Sequence, residues 1–321
     1  MNNSLKKTLK LVVPILIGVF LVLYWYLKTS VEDRDQILFY IREADVFWVS
    51  VSLLLGIIGH ISRAIRWNFL LEPLGYKPKL SNNILMIFMA YLANLGVPRT
   101  GEILRATALT TYEGVPFEKG FGTIVTERVV DLFMLLVVVV VTLLLQTDII
   151  ISFFEQRGFN LNGIFLLLSA GVVAFLIFFL FIKKSNSIIA KKIKTFVKGL
   201  LDGVFSIFKM KRKWAFAFHT LLIWACYIGM MWVIKFTVPE TANLSLNEIM
   251  VAFVFGAFAM ATTNGGVGLF PILVSKALGL FGISSVSGDA FGWIMWIAQT
   301  MMNIVFGAIS FLLLPLLNRN K

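Results

Sequence analysis

Apolar runs recur along this chain near 11–27, 46–70, 121–146, 162–182, 214–236 and 288–316. Each is close to the roughly 20 residues that an α-helix needs to cross a bilayer, so each predicts a membrane-spanning helix. Two further stretches, 82–112 and 247–281, are apolar at both ends and broken at the centre. The first breaks at Asn94-Leu95-Gly96-Val97-Pro98 and resumes with Ile103-Leu104; the second breaks at Thr263-Asn264-Gly265-Gly266-Val267-Gly268 and resumes with Leu269-Phe270-Pro271. Glycine, proline and asparagine end helices, so both stretches predict paired half-helices or full hairpins.

The polar segments between the runs orient them. Residues 28–45 hold three Lys/Arg and five Asp/Glu, residues 147–161 one and two, and residues 183–213 ten and one. With Lys6-Lys7 inside, the positive-inside rule places 28–45 and 147–161 outside and 71–81, 183–213 and the Arg319–Lys321 tail in the cytoplasm. Six full crossings satisfy this, provided that each broken stretch returns to the side it entered from. The start resembles a signal peptide, but Tyr24-Trp25-Tyr26 closes the run with no small-residue cleavage site, which predicts a retained first helix.

The predicted fold is an all-α polytopic membrane protein of about six full spans plus two broken or re-entrant helical hairpins. It forms one membrane domain: 1–45 a first helix and outer loop, 46–146 a first repeat, 147–213 a linking span and a basic amphipathic helix over Ile188–Phe208, and 214–316 a second repeat. Span, broken stretch, span occurs in both repeats, entering from opposite sides. That is the inverted-repeat pattern of many transporters.

Composition agrees: 59% of the 321 residues are hydrophobic and 14% charged, against about 25% charged in a soluble domain. No soluble catalytic domain is expected. The net charge of +12 sits in short segments between apolar runs, which points to anionic lipid headgroups and away from nucleic acid. Cys226 is the single cysteine, which excludes an internal disulfide or a cysteine metal cluster.

Ionisable groups at membrane depth are costly and normally face a protein interior or a watery cavity. In Pro98-Arg99-Thr100-Gly101-Glu102-Ile103-Leu104-Arg105, the residues Arg99, Glu102 and Arg105 fall at i, i+3 and i+6 on one predicted helix face. Pro98 and Gly101 suit a helix start, whose free N–H groups attract anions, and arginine grips phosphate bidentately. The next span opens with Glu127-Arg128-Val129-Val130-Asp131, whose carboxylates are one turn apart. They are candidates to neutralise the arginines or carry a coupling proton.

On the preceding span, His60, Arg63 and Trp67 share a stripe with Arg66 beside them; snorkelling to the interface explains both arginines as well as ligand binding does. His219 has no second ligand nearby, so no metal is expected. Asp33-Arg34-Asp35 spells a pattern of nucleotide-sugar enzymes, but no Gly-rich α/β domain surrounds it. Trp48, Trp214 and Trp293, near predicted helix starts, fit interfacial belts.

The Asn94–Arg105 run, the Glu127-Arg128-Val129-Val130-Asp131 element and the later Asn264-Gly265-Gly266-Val267-Gly268 resemble, in this order, the flippase-like family named for the transmembrane region of lysylphosphatidylglycerol synthase. Arg63-Ala64-Ile65-Arg66-Trp67 is also similar to the family. The resemblance covers nearly the whole chain. It implies the lipid-handling half of the synthase without its soluble aminoacyltransferase domain. It also carries Arg99, Glu102, Arg105, Glu127, Arg128 and Asp131 over as charged motif positions, and Asn264, Gly265, Gly266 and Gly268 as the second break.

The functional expectation is a lipid translocase of the cytoplasmic membrane that moves or binds an anionic or phosphate-bearing headgroup. Substrate-binding candidates are Arg63, Arg66, Asn94, Arg99, Glu102, Arg105, Glu127, Arg128, Asp131, Asn264, Gly265, Gly266 and Gly268. No catalytic residue, metal or cofactor is expected, and the ATP-binding pattern G-x-x-x-x-G-K-[ST] is absent. Two alternatives stand beside it: a membrane enzyme or enzyme subunit acting on a lipid-linked substrate, with Glu127 or Asp131 as general base, and a non-transporting partner of a separate lipid synthase.

Overall fold

The computed structural model describes residues 18–97, 99–147 and 210–319, together with Leu16, Gly163, Ser185, Ser187 and Lys191. The expected span near 162–182, the basic amphipathic helix over 188–208 and Pro98 lie outside the described residues, as does most of 11–17.

The described residues are helical, with no strand among them. In chain order the helices are α1 (Gly18–Lys28), α2 (Val31–Arg42), α3 (Val46–Leu71), α4 (Leu80–Gly96), α5 (Thr100–Glu113), α6 (Phe117–Leu145), α7 (Lys213–Ile234), α8 (Leu246–Thr262), α9 (Leu269–Gly279) and α10 (Ser285–Leu317). The regions Val46–Leu74, Phe117–Leu145, Lys213–Thr237 and Ser285–Leu317 are long and apolar enough to cross a membrane. These four match the apolar runs to within a few residues. Each broken stretch is a pair of shorter helices, α4–α5 and α8–α9.

The residues form two compact units, Met1–Val125 with Trp214–Lys321, and Thr126–Lys213. The core of the first includes Met230, Ile234, Ile249, Phe270, Val274 and Phe291, with Ile37 of α2 packed into it. Large apolar side chains such as Phe218, Leu221, Phe258 and Leu312 lie exposed, as lipid-facing residues do.

Close helix approach in this unit depends on small residues, because in lipid it is packing rather than the hydrophobic effect that draws helices together. A Cβ on Gly307 would stand 2.4 Å from Leu92 Cβ and 3.0 Å from the Phe88 carbonyl oxygen, so α4 lies directly on α10. A Cβ on Gly292 would stand 2.7 Å from Pro271 Cα, which brings α9 equally close to α10. At the ends of α4, α5 and α10, Asn82 and Asn318 exchange two side-chain hydrogen bonds of 3.0 Å, and Asn82 also donates to the Glu113 carboxylate. Polar clasps of this kind hold helices in register where apolar packing alone permits sliding.

The segment 28–45, read as an outer loop, contains α2. Ser30 caps it by accepting from the Asp33 N–H, and Arg34 donates to the Tyr26 carbonyl while its guanidinium lies 4.0 Å over the Tyr26 ring. The Asp33-Arg34-Asp35 run is thus part of a capped helix. The tryptophans near the helix starts differ in their surroundings. Trp214 is 80% exposed, but Trp293 sits between Trp25 and Trp296, at 5.3 and 5.7 Å between ring centroids, in a row that ties α1 to α10. Trp25 adds a 2.7 Å hydrogen bond to Asp289.

Gly307→Val is expected to lower the melting temperature of the detergent-solubilised protein by the equivalent of about 1–3 kcal/mol through overpacking, whereas Leu312→Val, at an exposed position, leaves it nearly unchanged. Circular-dichroism melts of both variants beside the wild type test this.

Candidate functional site

Three arginines are buried among the described residues: Arg63 and Arg66 on α3 and Arg105 on α5. Snorkelling would leave the guanidinium groups of Arg63 and Arg66 at the surface, yet the residues are only 3% and 0% exposed, so that reading is corrected. Arg63 Nη2 donates to the Tyr227 hydroxyl at 3.2 Å, and Arg66 Nη1 donates to Thr220 Oγ1 at 3.2 Å while its guanidinium lies 5.6 Å over the Phe216 ring. Both therefore point from the first half of the chain into α7. His219, also on α7, shares a 2.8 Å hydrogen bond between its Nδ1 and Ser62 Oγ.

Trp67 organises the next part. Its indole is fully buried, Nε1 donates to Thr123 Oγ1 at 2.8 Å, and the Arg105 guanidinium lies 3.7 Å over its ring. A cation on a desolvated aromatic face gains about 2 kcal/mol or more, which helps to offset the burial of the Arg105 charge. A Cβ on Gly120 would reach Leu109 Cδ2 at 2.9 Å, so glycine lets the start of α6 close on α5.

The first break is a tight turn between antiparallel helices. Asn94 Oδ1 accepts from the Gly101 N–H at 2.8 Å, and the Thr100 hydroxyl bonds the carbonyls of Val97 at 2.7 Å and Ala93 at 3.2 Å. Donors at the start of α5 and acceptors at the end of α4 thereby satisfy each other. A Cβ at Gly101 would fall 2.2 Å from the Ala90 carbonyl oxygen, so no larger residue fits without parting the helices. The expected face of Arg99, Glu102 and Arg105 is split. Arg99 stands before α5 in the left-handed conformation, φ 61°, and is exposed, Glu102 is half-buried, and Arg105 is buried against Trp67.

The second break is built from left-handed glycines: Gly265, Gly266 and Gly268 have φ of 59°, 74° and 70°. Gly265 meets the first break, since a Cβ there would stand 2.6 Å from Leu95 Cδ2, and its carbonyl accepts from Trp296 Nε1 at 2.7 Å. Gly268 faces α1, where a Cβ would come 2.9 Å from the Gly18 carbonyl oxygen. Asn264 is buried, and its Nδ2 has no hydrogen-bond partner. The two interrupted stretches, far apart in sequence, therefore touch at Leu95 and Gly265.

In the other unit, α6 carries the remaining candidates: Glu127 is fully buried, Asp131 half-buried and Arg128 exposed. Sequence reasoning missed Tyr91, Tyr227 and Asn303, whose polar atoms lie near His60 and Arg63. Their only signal was a hydroxyl or amide inside an apolar helix.

Arg105→Lys keeps the charge but loses the planar guanidinium over Trp67, and is expected to destabilise the protein by about 1–2 kcal/mol. Thermal melts of Arg105→Lys, Trp67→Leu and the double variant check it: coupling between the two sites is expected, and additive losses would refute the stacking.

Two curated relatives share segments of this chain. Glycosyltransferase AglD of Haloferax volcanii is 30% identical over 125 residues, 38% of this chain and 20% of the relative. UPF0104 membrane protein MJ1595 of Methanocaldococcus jannaschii is 28% identical over 152 residues, 44% of this chain and 43% of the relative. The matched segments thus span less than half of either relative. The helices and these comparisons describe an integral, multi-pass membrane protein. The family model of the lysylphosphatidylglycerol synthase TM region matches residues 11–307, and the chain belongs to that family.

Proposed function

We propose that this protein is a lipid translocase of the cytoplasmic membrane, which binds an anionic or phosphate-bearing headgroup inside the helical unit while the acyl chains stay in the bilayer. The observation that supports this most is the burial of Arg63, Arg66 and Arg105 in a multi-pass membrane protein. Inserting an arginine at membrane depth costs roughly 2.5–3.5 kcal/mol on insertion scales, and cations kept there suit an anionic cargo. The two contiguous breaks supply a second feature of transporters, irregular backbone packed within the protein.

In this reading the stretches Val46–Leu145 and Lys213–Leu317 are inverted repeats. The succession of a long helix, two short ones and a long one, 26, 17, 14 and 29 residues in the first, recurs as 22, 17, 11 and 33 in the second. Rocking of the repeats about the breaks gives alternating access. Both termini are cytoplasmic, the partners are membrane lipids, and the protein is not itself an enzyme. Arg99, exposed at the turn, meets the headgroup first, and Glu127 on α6 carries a coupling proton.

The relative named as a glycosyltransferase favours a second reading, a membrane subunit serving an enzyme on a lipid-linked substrate. A non-transporting partner of a separate lipid synthase is a variant of it.

Arg99 separates function from stability. A non-glycine residue in the left-handed region costs about 1–2 kcal/mol, so Arg99→Gly is expected to raise the melting temperature slightly. It is also expected to slow translocation of fluorescent phosphatidylglycerol in proteoliposomes at least tenfold. A variant that is stabilised and equally active removes Arg99 from the site. If wild type moves phosphatidylglycerol, its aminoacylated derivative and a polyprenyl phosphate no faster than empty vesicles, the enzyme-subunit or partner reading takes its place.

A further inference from the structure

We infer that His60, Tyr91, Tyr227 and Asn303, with the guanidinium of Arg63, form a binding site for a phosphate oxyanion deep in the helical unit. The phosphate class rests on the translocase reading; the location rests on residues outside the two breaks.

His60 lies about 20 Å along α3 from Val46 at 1.5 Å per residue, near the middle of that helix, and Asn303 lies mid-way along α10. Both are buried, at 2% and 4% exposed, beside Arg63 at 3%. The His60 ring lies 4.3 Å from the Tyr91 ring, tilted by 51°, Arg63 donates to the Tyr227 hydroxyl, and the two tyrosine hydroxyls are 3.3 Å apart. The Asn303 carboxamide approaches the imidazole. Residues of α3, α4, α7 and α10 therefore converge on one polar point inside apolar helices.

The convergence is incomplete. His60 Nδ1 and Asn303 Oδ1 are buried, and the approach of the imidazole and the carboxamide to each other leaves both without a well-formed hydrogen bond. An unmet buried polar atom costs about 1–3 kcal/mol, so a ligand that engages both groups completes the set. Each is chemically ambivalent, because a neutral imidazole carries its hydrogen on either nitrogen and a carboxamide turned by half a revolution presents N–H. The tyrosine hydroxyls can donate as well. Adaptable donors around one permanent cation match the charge and the several acceptor oxygens of a phosphate group. Tyr91 and Tyr227 are only half-buried, so the site opens on the tyrosine side.

The test is binding by the full chain in detergent, using isothermal titration with water-soluble short-chain phosphatidylglycerol, inorganic phosphate and a short-chain glycolipid without phosphate. Wild type is expected to bind the phosphatidylglycerol and not the glycolipid. The isosteric double variant Tyr91→Phe/Tyr227→Phe and the variant Asn303→Leu are each expected to weaken that binding at least tenfold. If inorganic phosphate also binds and is lost in the same variants, the oxyanion itself is recognised, whichever molecule carries it. Should Asn303→Leu fail to fold, the tyrosine variant decides. Unchanged binding in a folded tyrosine variant would mean that the cluster holds ordered water only; this site then falls while the translocase reading stands. Wild type that binds no phosphate-bearing probe overturns both.

Discussion

A polar group inside a bilayer has to find its partner within the protein, because lipid offers none. The arginines of α3 obey this constraint, and much of the first unit can be understood from how it is met. Arg63 and Arg66 reach hydroxyls of Tyr227 and Thr220 on α7, while Arg105 rests on Trp67. These contacts join α3 to α7 and α5 to α3 with a directionality that apolar packing lacks. The charges are thus part of the architecture as well as candidates for binding, and the two roles are compatible: a group already desolvated and oriented has little left to reorganise when an anion arrives.

The breaks follow from the same rule applied to the backbone. At the first, the Asn94 side chain meets the Gly101 N–H, and the Thr100 hydroxyl adds to the backbone bonds on the Ala93 and Val97 carbonyls. At the second, glycines with positive φ fold the chain tightly enough for Trp296 to reach the Gly265 carbonyl. Irregular backbone persists at these points because each is packed against another part of the same unit.

Hydropathy made the long helices legible, since a run that must cross lipid declares itself in composition; α3, α6, α7 and α10 end within a few residues of the predicted limits. The positions of the breaks were legible too, because glycine and asparagine leave few other options. What periodicity did not reach were features set by a single dihedral or by distant contacts. Extending helical spacing back to Arg99 put it on a face with Arg105, but the left-handed backbone at Arg99 turns it out of that helix. Arg63 and Arg66 looked free to snorkel because their partners on α7 lie more than 150 positions away. The Tyr91, Tyr227 and Asn303 group was invisible for the same reason: each is an unremarkable polar residue until the fold gathers them.

The glycine at position 307 has a mechanical consequence. With Leu92 and the Phe88 carbonyl pressed where its side chain would be, α4 and α10 share a seam with almost no slack. Gly101 does the same for α4 and α5 against the Ala90 carbonyl. Tight seams transmit displacement instead of absorbing it, so in the proposed rocking α10 travels with α4 and α5 of the other repeat, and the yielding contacts are those made through longer side chains.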